Sequence, residues 1–244
     1  YFDAFDEHRT ALENRLRRHG IYENKRIDFL NNKTITHNLG TSIQKLDGIR
    51  DIVDFEYTRL ERKLRLVVLA DYIRKEFFPN SVSNELELTR LGVFPIFEKL
   101  RRENSDKKKI AVLTGSFIIV PTSAKMSLQQ KAAELGLSDI GFSVVPFDSD
   151  YLSVNLQESL KHQLVHLVTQ IFQEGEVEVL IGTKALLGEG WDAPAINALI
   201  LASFVGSFVL SNQMRGRAIR TEKGNANKTS NIWHLVCLDP TLTS

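Results

Sequence analysis

The 244-residue sequence contains a single cysteine, Cys237, which excludes an internal disulfide framework. One thiol suits a reducing compartment, so we expect a cytoplasmic protein. An excess of one charge sign is also missing, because 31 lysines and arginines stand against 30 aspartates and glutamates. A chain so balanced does not hold a polyanion through its overall charge, and any nucleic-acid contact must therefore be local.

Long apolar runs are absent as well. The longest, Ala198 to Leu210, is interrupted by serines and a glycine and is shorter than the roughly 20 residues that span a bilayer. We therefore predict a buried core segment and no membrane partner. The six histidines show no zinc-site spacing with Cys237 or with clustered carboxylates, so we predict no protein-held metal.

What the sequence does contain, 43% apolar residues, is enough for a sizeable core. Residues 1–63 have helical periodicity, and we interpret them as a helical segment that leads into a second region. Apolar residues there fall three or four apart, as in an amphipathic helix. They are Ile43, Leu46, Ile49, Val53, Tyr57 and Leu60.

From residue 64 onward the pattern changes to that of an α/β domain. Four short apolar runs are typical of strands covered on both faces, and the stretches between them are long enough for crossover helices. The runs are Leu66 to Ala70, Ile110 to Leu113, Val177 to Ile181 and Leu199 to Ser203. One crossover helix begins around Pro95, and another runs from about Leu156 to its end at Gly175.

An insertion at about residues 116–157 interrupts this alternation. It contains apolar runs at Phe117 to Val120 and Phe142 to Val145, which we interpret as extra strands, with a short helix near Leu128.

The segment Gln213 to Arg220 carries chemistry. Arg217 and Arg220 are three residues apart, so their guanidinium groups point the same way on a helix. Arginine suits phosphate because its charge does not titrate away and its planar fork can hold two oxygens at once. Alone, such a string also fits a basic surface helix.

A second polar segment, Gly182 to Pro194, follows directly on the predicted strand that ends near Ile181. It is rich in glycine and lies at the carboxyl end of a parallel strand. That is where α/β sheets bind ligands.

Together the two segments resemble motifs V and VI of superfamily 2 helicases. Motif V consists roughly of Thr, a spacer and Gly-x-Asp, and motif VI has the pattern Gln-x-x-Gly-Arg-x-x-Arg. The resemblance covers residues 64–244 and implies a three-layer RecA-like domain, of the P-loop NTPase kind, that forms the C-terminal motor lobe. Leu66 to Asp71 is similar to the strand that opens this lobe. The loop Gly188 to Asp192 is closer to type III restriction and excision-repair motors than to the DEAD-box group.

The resemblance implies roles in ATP hydrolysis. Arg220 matches the arginine finger, which meets the γ-phosphate of ATP held on the other lobe, and Arg217 matches its phosphate-binding companion. Gln213 matches a residue that helps to close the lobes. Gly190 and Asp192 match the part of motif V that lies against the nucleotide.

The resemblance also implies contacts with a nucleic-acid backbone. Thr183 matches the position in motif V that touches this backbone, and Gly115 and Ser116 are weaker candidates at the end of an earlier strand. For Trp191, a role as packing anchor is favoured over one as a base-stacking platform.

The sequence lacks a Gly-x-x-x-x-Gly-Lys-Ser/Thr loop and an acidic motif for Mg²⁺. It also begins at Tyr1 without an initiating methionine, which suggests a piece of a longer protein. We therefore expect ATP and Mg²⁺ to be held mainly by an N-terminal lobe of the same protein, and the isolated chain to be inactive.

The expected function is that of the second motor lobe of an ATP-dependent helicase acting on DNA or RNA. Two alternatives stay open. One is the motor subunit of a restriction or repair complex that translocates without unwinding. The other is a non-catalytic, helicase-derived binding scaffold, against which the arginine pair argues.

Overall fold

A computed structural model describes most of the region from residue 43 to residue 235 and short parts elsewhere. The described residues are 10–16, 22–23, 26–27, 43–79, 86–137, 140–155, 158–184, 191–203, 212, 215–216, 220 and 228–235. By compactness the chain divides into two units, Tyr1–Ser42 with Val236–Ser244, and Ile43–Leu235. The boundary proposed above at residue 63 stays a prediction.

The first unit contains a helical segment at residues 10–16 and a short antiparallel strand pair. This pair consists of β1 (Tyr22–Glu23) and β2 (Arg26–Ile27).

The second unit is built on an eight-stranded sheet, and the four predicted apolar runs form its central strands. The strands are β3 (Leu66–Ala70), β4 (Ile110–Leu113), β5 (Ile118–Pro121), β6 (Phe142–Val145), β7 (Asp148–Val154), β8 (Val179–Thr183), β9 (Ala198–Leu201) and β10 (Asn231–His234). Their order is β10-β9-β3-β8-β4-β5-β7-β6. The first five in this order are parallel, and β5, β7 and β6 continue the sheet in antiparallel fashion.

Helices cover both faces of this sheet. They are α1 (Gln44–Leu60), α2 (Val93–Arg102), α3 (Lys125–Glu134) and α4 (Lys161–Glu174), with 3₁₀ turns at Glu61–Lys63, Lys75–Phe77, Thr122–Ala124 and Glu158–Leu160. Alternate residues of the central strands pack on opposite sides, so that Val67 faces α3 and α4 whereas Val68 faces α1 and α2. The predicted α/β, three-layer RecA-like fold is confirmed.

The predicted amphipathic helix is α1, which buries Leu46, Ile49 and Val53. Its Glu56 is also buried, and its carboxylate accepts hydrogen bonds from Trp233 Nε1 at 2.6 Å and Asn231 Nδ2 at 2.9 Å. Helix α1 therefore fixes the edge strand β10.

The strands and helix predicted within residues 116–157 are confirmed as β5, β6 and α3. A third strand, β7, is not apparent from the sequence because it opens on the polar run Asp148 to Asp150. Strand β7 packs on α2, where the rings of Phe97 and Tyr151 meet edge to face at 5.1 Å. Burial raises the pKa of the Tyr151 phenol well above its ordinary value.

None of the described helices is long and apolar enough to cross a membrane.

Gly175 ends α4 in the left-handed conformation, with φ of 91°, as predicted from the sequence. A Cβ here would lie within 3.0 Å of the Arg65 guanidinium. That guanidinium donates hydrogen bonds to the carbonyls of Leu64 at 2.7 Å and Arg62 at 3.0 Å. Glycine therefore suits the left-handed backbone, and a Cβ here would also force the Arg65 guanidinium to shift from these carbonyls.

We expect Gly175→Ala to lower the free energy of unfolding by about 2–3 kcal/mol, from left-handed strain together with loss of the Arg65 contacts. Urea unfolding of the chain measures this. Gly136→Ala is the matched control, because Gly136 also has a positive φ of 72° but open space around its Cβ position. The control should lose only the strain, about 1–2 kcal/mol. Equal losses for both variants would contradict a role for the Arg65 contact.

Candidate nucleotide-binding edge of the sheet

The carboxyl ends of the parallel strands meet at one edge of the sheet. Ala70, the last residue of β3, pairs with Thr183, the last residue of β8, and Leu113 of β4 pairs with Gly182. The loops that follow these strands therefore start side by side. This is the edge at which open α/β sheets bind their ligands.

Asp71 links three of these loops. Its carboxylate oxygen Oδ1 lies 2.5 Å from Lys184 Nζ, and its backbone N–H donates to Ser203 Oγ at 3.2 Å. Lys184 follows β8 and Ser203 follows β9, so Asp71 fixes the start of the motif V loop against both neighbours. The sequence alone does not assign a role to Asp71 or Lys184. The sequence feature that points to them is a charged residue directly after each of two buried strands.

Asp192 and Arg220 form an ion pair, with 2.7 Å between Oδ1 and Nη1. Their side chains are 46% and 50% exposed. Lys228 Nζ donates to the carbonyl oxygens of Arg220, at 2.7 Å, and Pro194. The structure thus brings a predicted ATP-binding residue together with a predicted catalytic one.

Trp191 seats this loop on the protein. The residue is 5% exposed, and its Nε1 donates to Thr169 Oγ1 of α4 at 2.6 Å. The prediction that Trp191 is a packing anchor rather than a stacking platform is confirmed. Asp192 therefore directly follows a residue that is fixed to the core.

The predicted nucleic-acid contacts lie at the same edge. Thr183 ends β8 and is partly exposed, whereas Gly115 and Ser116 are exposed in the turn between β4 and β5. Thr114 shapes this turn, because its Oγ1 accepts the backbone N–H of Phe117 at 2.9 Å and of Ser116 at 3.3 Å.

Three predicted site residues, Gly190, Gln213 and Arg217, lie outside the described residues, and their roles stay predictions. Among the described residues no three His, Cys, Asp or Glu side chains converge on a possible metal position. The expectation that this chain holds no metal of its own stays a prediction too.

Comparison with known proteins decides the family. The family described as "Helicase conserved C-terminal domain" matches residues 97–222, just over half of the 244-residue chain. The chain belongs to this family. The prediction that the chain is the C-terminal lobe of a helicase is thereby confirmed.

Three solved structures illustrate what this helicase C-terminal domain is similar to. The Hef helicase domain of Pyrococcus furiosus is 16% identical with a TM-score of 0.43, and the match covers 83% of this chain and 28% of that one. The Mss116p DEAD-box helicase domain 2 bound to an RNA duplex is 11% identical with a TM-score of 0.42, and the match covers 79% of this chain and 50% of that one. A fragment of a putative HsdR subunit of a type I restriction enzyme from Vibrio vulnificus YJ016 is 15% identical with a TM-score of 0.40, and the match covers 79% of this chain and 28% of that one. The chain thus covers at most half of each of these structures. No curated protein matches it in sequence.

The family match begins at Phe97, inside α2, so it leaves out α1 and β3. Nevertheless β3 lies between β9 and β8 in the sheet. Asp71, which follows β3, contacts Lys184 inside the matched region. The helicase C-terminal domain therefore depends on residues upstream of the match.

Proposed function

We propose that this helicase C-terminal domain is the second motor lobe of an ATP-dependent nucleic-acid helicase or translocase, with Arg220 as its arginine finger. The observation that carries the proposal is the 2.7 Å contact between Arg220 and Asp192. It joins the residues that motifs V and VI assign to ATP.

This ion pair is suited to exchange. Both side chains are about half exposed, and exposed ion pairs contribute only about 0.2–1 kcal/mol to stability. Arginine offers five N–H donors, and the ion pair with Asp192 engages Nη1. Arg220 can therefore turn to a phosphate at small cost, or keep Asp192 while other donors face the phosphate.

The proposed partner of Arg220 is the γ-phosphate of ATP bound to the N-terminal lobe of the same protein. When bound, Mg²⁺ neutralises phosphate charge, and it is held mainly by that lobe. Arg220, with Arg217, stabilises the charge on the transferring phosphoryl group, and Gln213, Gly190 and Asp192 contribute to closure on the nucleotide. Closing and reopening the two lobes moves the nucleic acid stepwise.

The proposed nucleic-acid contact runs along the DNA or RNA backbone. Thr183, Gly115 and Ser116 lie along one edge of the sheet and offer hydroxyl and backbone N–H donors. Such donors fit phosphate oxygens, and contact with phosphates makes binding tolerant of sequence. With a net charge of +1, affinity depends on these local contacts rather than on overall attraction.

Turnover of ATP by the full-length protein, with and without a single-stranded oligonucleotide, tests the proposal. We expect the strand to stimulate hydrolysis, and strand affinity to fall steeply between about 50 and 200 mM salt because phosphate contacts release counterions. Strand binding without any ATP hydrolysis would contradict a motor and leave a binding scaffold. Hydrolysis that no nucleic acid stimulates would contradict the proposed strand contacts.

A further inference from the structure

The loop that follows β3 contains a residue in an unusual conformation. Arg74 has φ of 58° and ψ of 60°, the left-handed region that residues other than glycine seldom occupy. Such backbone persists only where the surroundings hold it, and it is concentrated at binding sites.

Two features hold Arg74 in place. Gly92, just before α2, admits its side chain, because a Cβ at Gly92 would lie within 3.0 Å of Arg74 Cγ. The carbonyls of Tyr72 and Ile73 accept the first N–H groups of α2, from Val93 at 2.8 Å and Phe94 at 3.1 Å. The loop is therefore tied to the start of a core helix.

The Arg74 guanidinium is directed at a ring. Its Cζ lies 4.5 Å from the centroid of Tyr72, whereas its ion pair with Glu76 is long, at 3.8 Å. Arg74 Nε is buried and has no hydrogen-bond partner among the described residues. This arrangement sacrifices a hydrogen bond and holds the Tyr72 ring by a cation–π contact.

Tyr72, held in this way, is 46% exposed as a residue, which is unusual for an aromatic residue fixed by its neighbours. It directly follows Asp71 at the carboxyl edge of the sheet. The same loop reaches the proposed strand contact, because Lys75 Nζ lies 4.6 Å from the ring centroid of Phe117, next to Ser116.

We propose that Tyr72 stacks on a base of the bound single strand, with Arg74 as the positioning residue that holds its ring. This inference rests on the proposed function and extends it, since it adds a base contact to the proposed contacts with the phosphate backbone. Every base has a π-face, so such a contact strengthens binding without reading sequence. A strand base is favoured over the adenine of ATP because the loop adjoins the turn that carries Gly115 and Ser116.

A binding experiment with the nucleotide-free full-length protein tests this inference. It compares two labelled single strands of equal length, one made of thymidines and one made of abasic sites. We expect wild type to prefer the strand with bases on the order of tenfold. Tyr72→Ala should bring this preference close to one, and Tyr72→Phe should keep it. Arg74→Ala should reduce the preference and affect the abasic strand less, whereas a purely electrostatic Arg74 would weaken both strands equally.

An unchanged preference in Tyr72→Ala would overturn the inference. The inference would also be overturned if Tyr72→Ala raised the KM for ATP and left the strand preference intact, because the ring would then face adenine. Tyr72→Phe separates stacking from folding, because it keeps the ring and its packing. The strand preference is measured without ATP, so failure of the proposed motor activity would appear separately, as missing turnover in wild type.

Discussion

Replacing Arg220 by alanine should reduce the kcat of strand-stimulated ATP hydrolysis by about 10³-fold or more in the full-length protein. An arginine finger acts on charge that develops in the transition state, and removing one costs roughly 10³ to 10⁵ in rate. The guanidinium is half exposed, and its ion pair with Asp192 is a surface contact, so the fold does not depend on it. Single-turnover hydrolysis, with strand binding measured in parallel, gives the result.

Two further variants sharpen this experiment. Arg220→Lys keeps the positive charge but loses the planar fork, and it should recover only part of the rate. Arg215→Ala removes an exposed arginine five residues earlier in the chain and should leave turnover within about twofold of wild type. Equal turnover in Arg220→Ala and wild type would show that Arg220 is not the finger.

The central strands could be predicted because burial on both faces leaves a local signature. Each of β3, β4 and β9 is apolar at every position, so a short window of sequence contains the whole signal. The end of α4 at Gly175 is likewise local, since left-handed backbone favours glycine. Motifs V and VI could be found from the sequence by resemblance.

Other elements depend on contacts between distant residues. β10 contains the exposed residues Asn231 and His234, and α1 positions it through Glu56. No window around β10 contains that information. The contacts of Asp71 with Lys184 and of Asp192 with Arg220 have the same nature, because strand order rather than spacing brings these charges together.

The region around residues 116–157 is predicted to depend on one buried carboxylate. Glu98 of α2 is fully buried, and its oxygens accept hydrogen bonds from Arg101 at 2.8 and 2.9 Å and from Arg102 at 3.1 Å. Arg101 also donates to Asp148 at the start of β7, at 3.0 Å. Its guanidinium lies 4.9 Å from the ring centroid of Phe147 in the β6–β7 turn. Glu98 therefore orients the arginine that joins this turn to α2.

Glu98→Ala should lower the free energy of unfolding by about 3–5 kcal/mol, because it leaves the largely buried Arg101 without its main partner. For a domain of this size that is a fall in Tm of about 6–20 °C. Glu103→Ala is the matched control: it removes a carboxylate just beyond the same helix that also pairs with two cations, Arg50 and Lys99, but is 39% exposed. The control should cost about 1 kcal/mol or less.

Equal losses for the two variants would mean that Arg101 finds another partner and that the β6–β7 turn does not depend on Glu98. A loss confined to Glu98→Ala would show that burial of the carboxylate, and not merely its pairing with two cations, stabilises the domain.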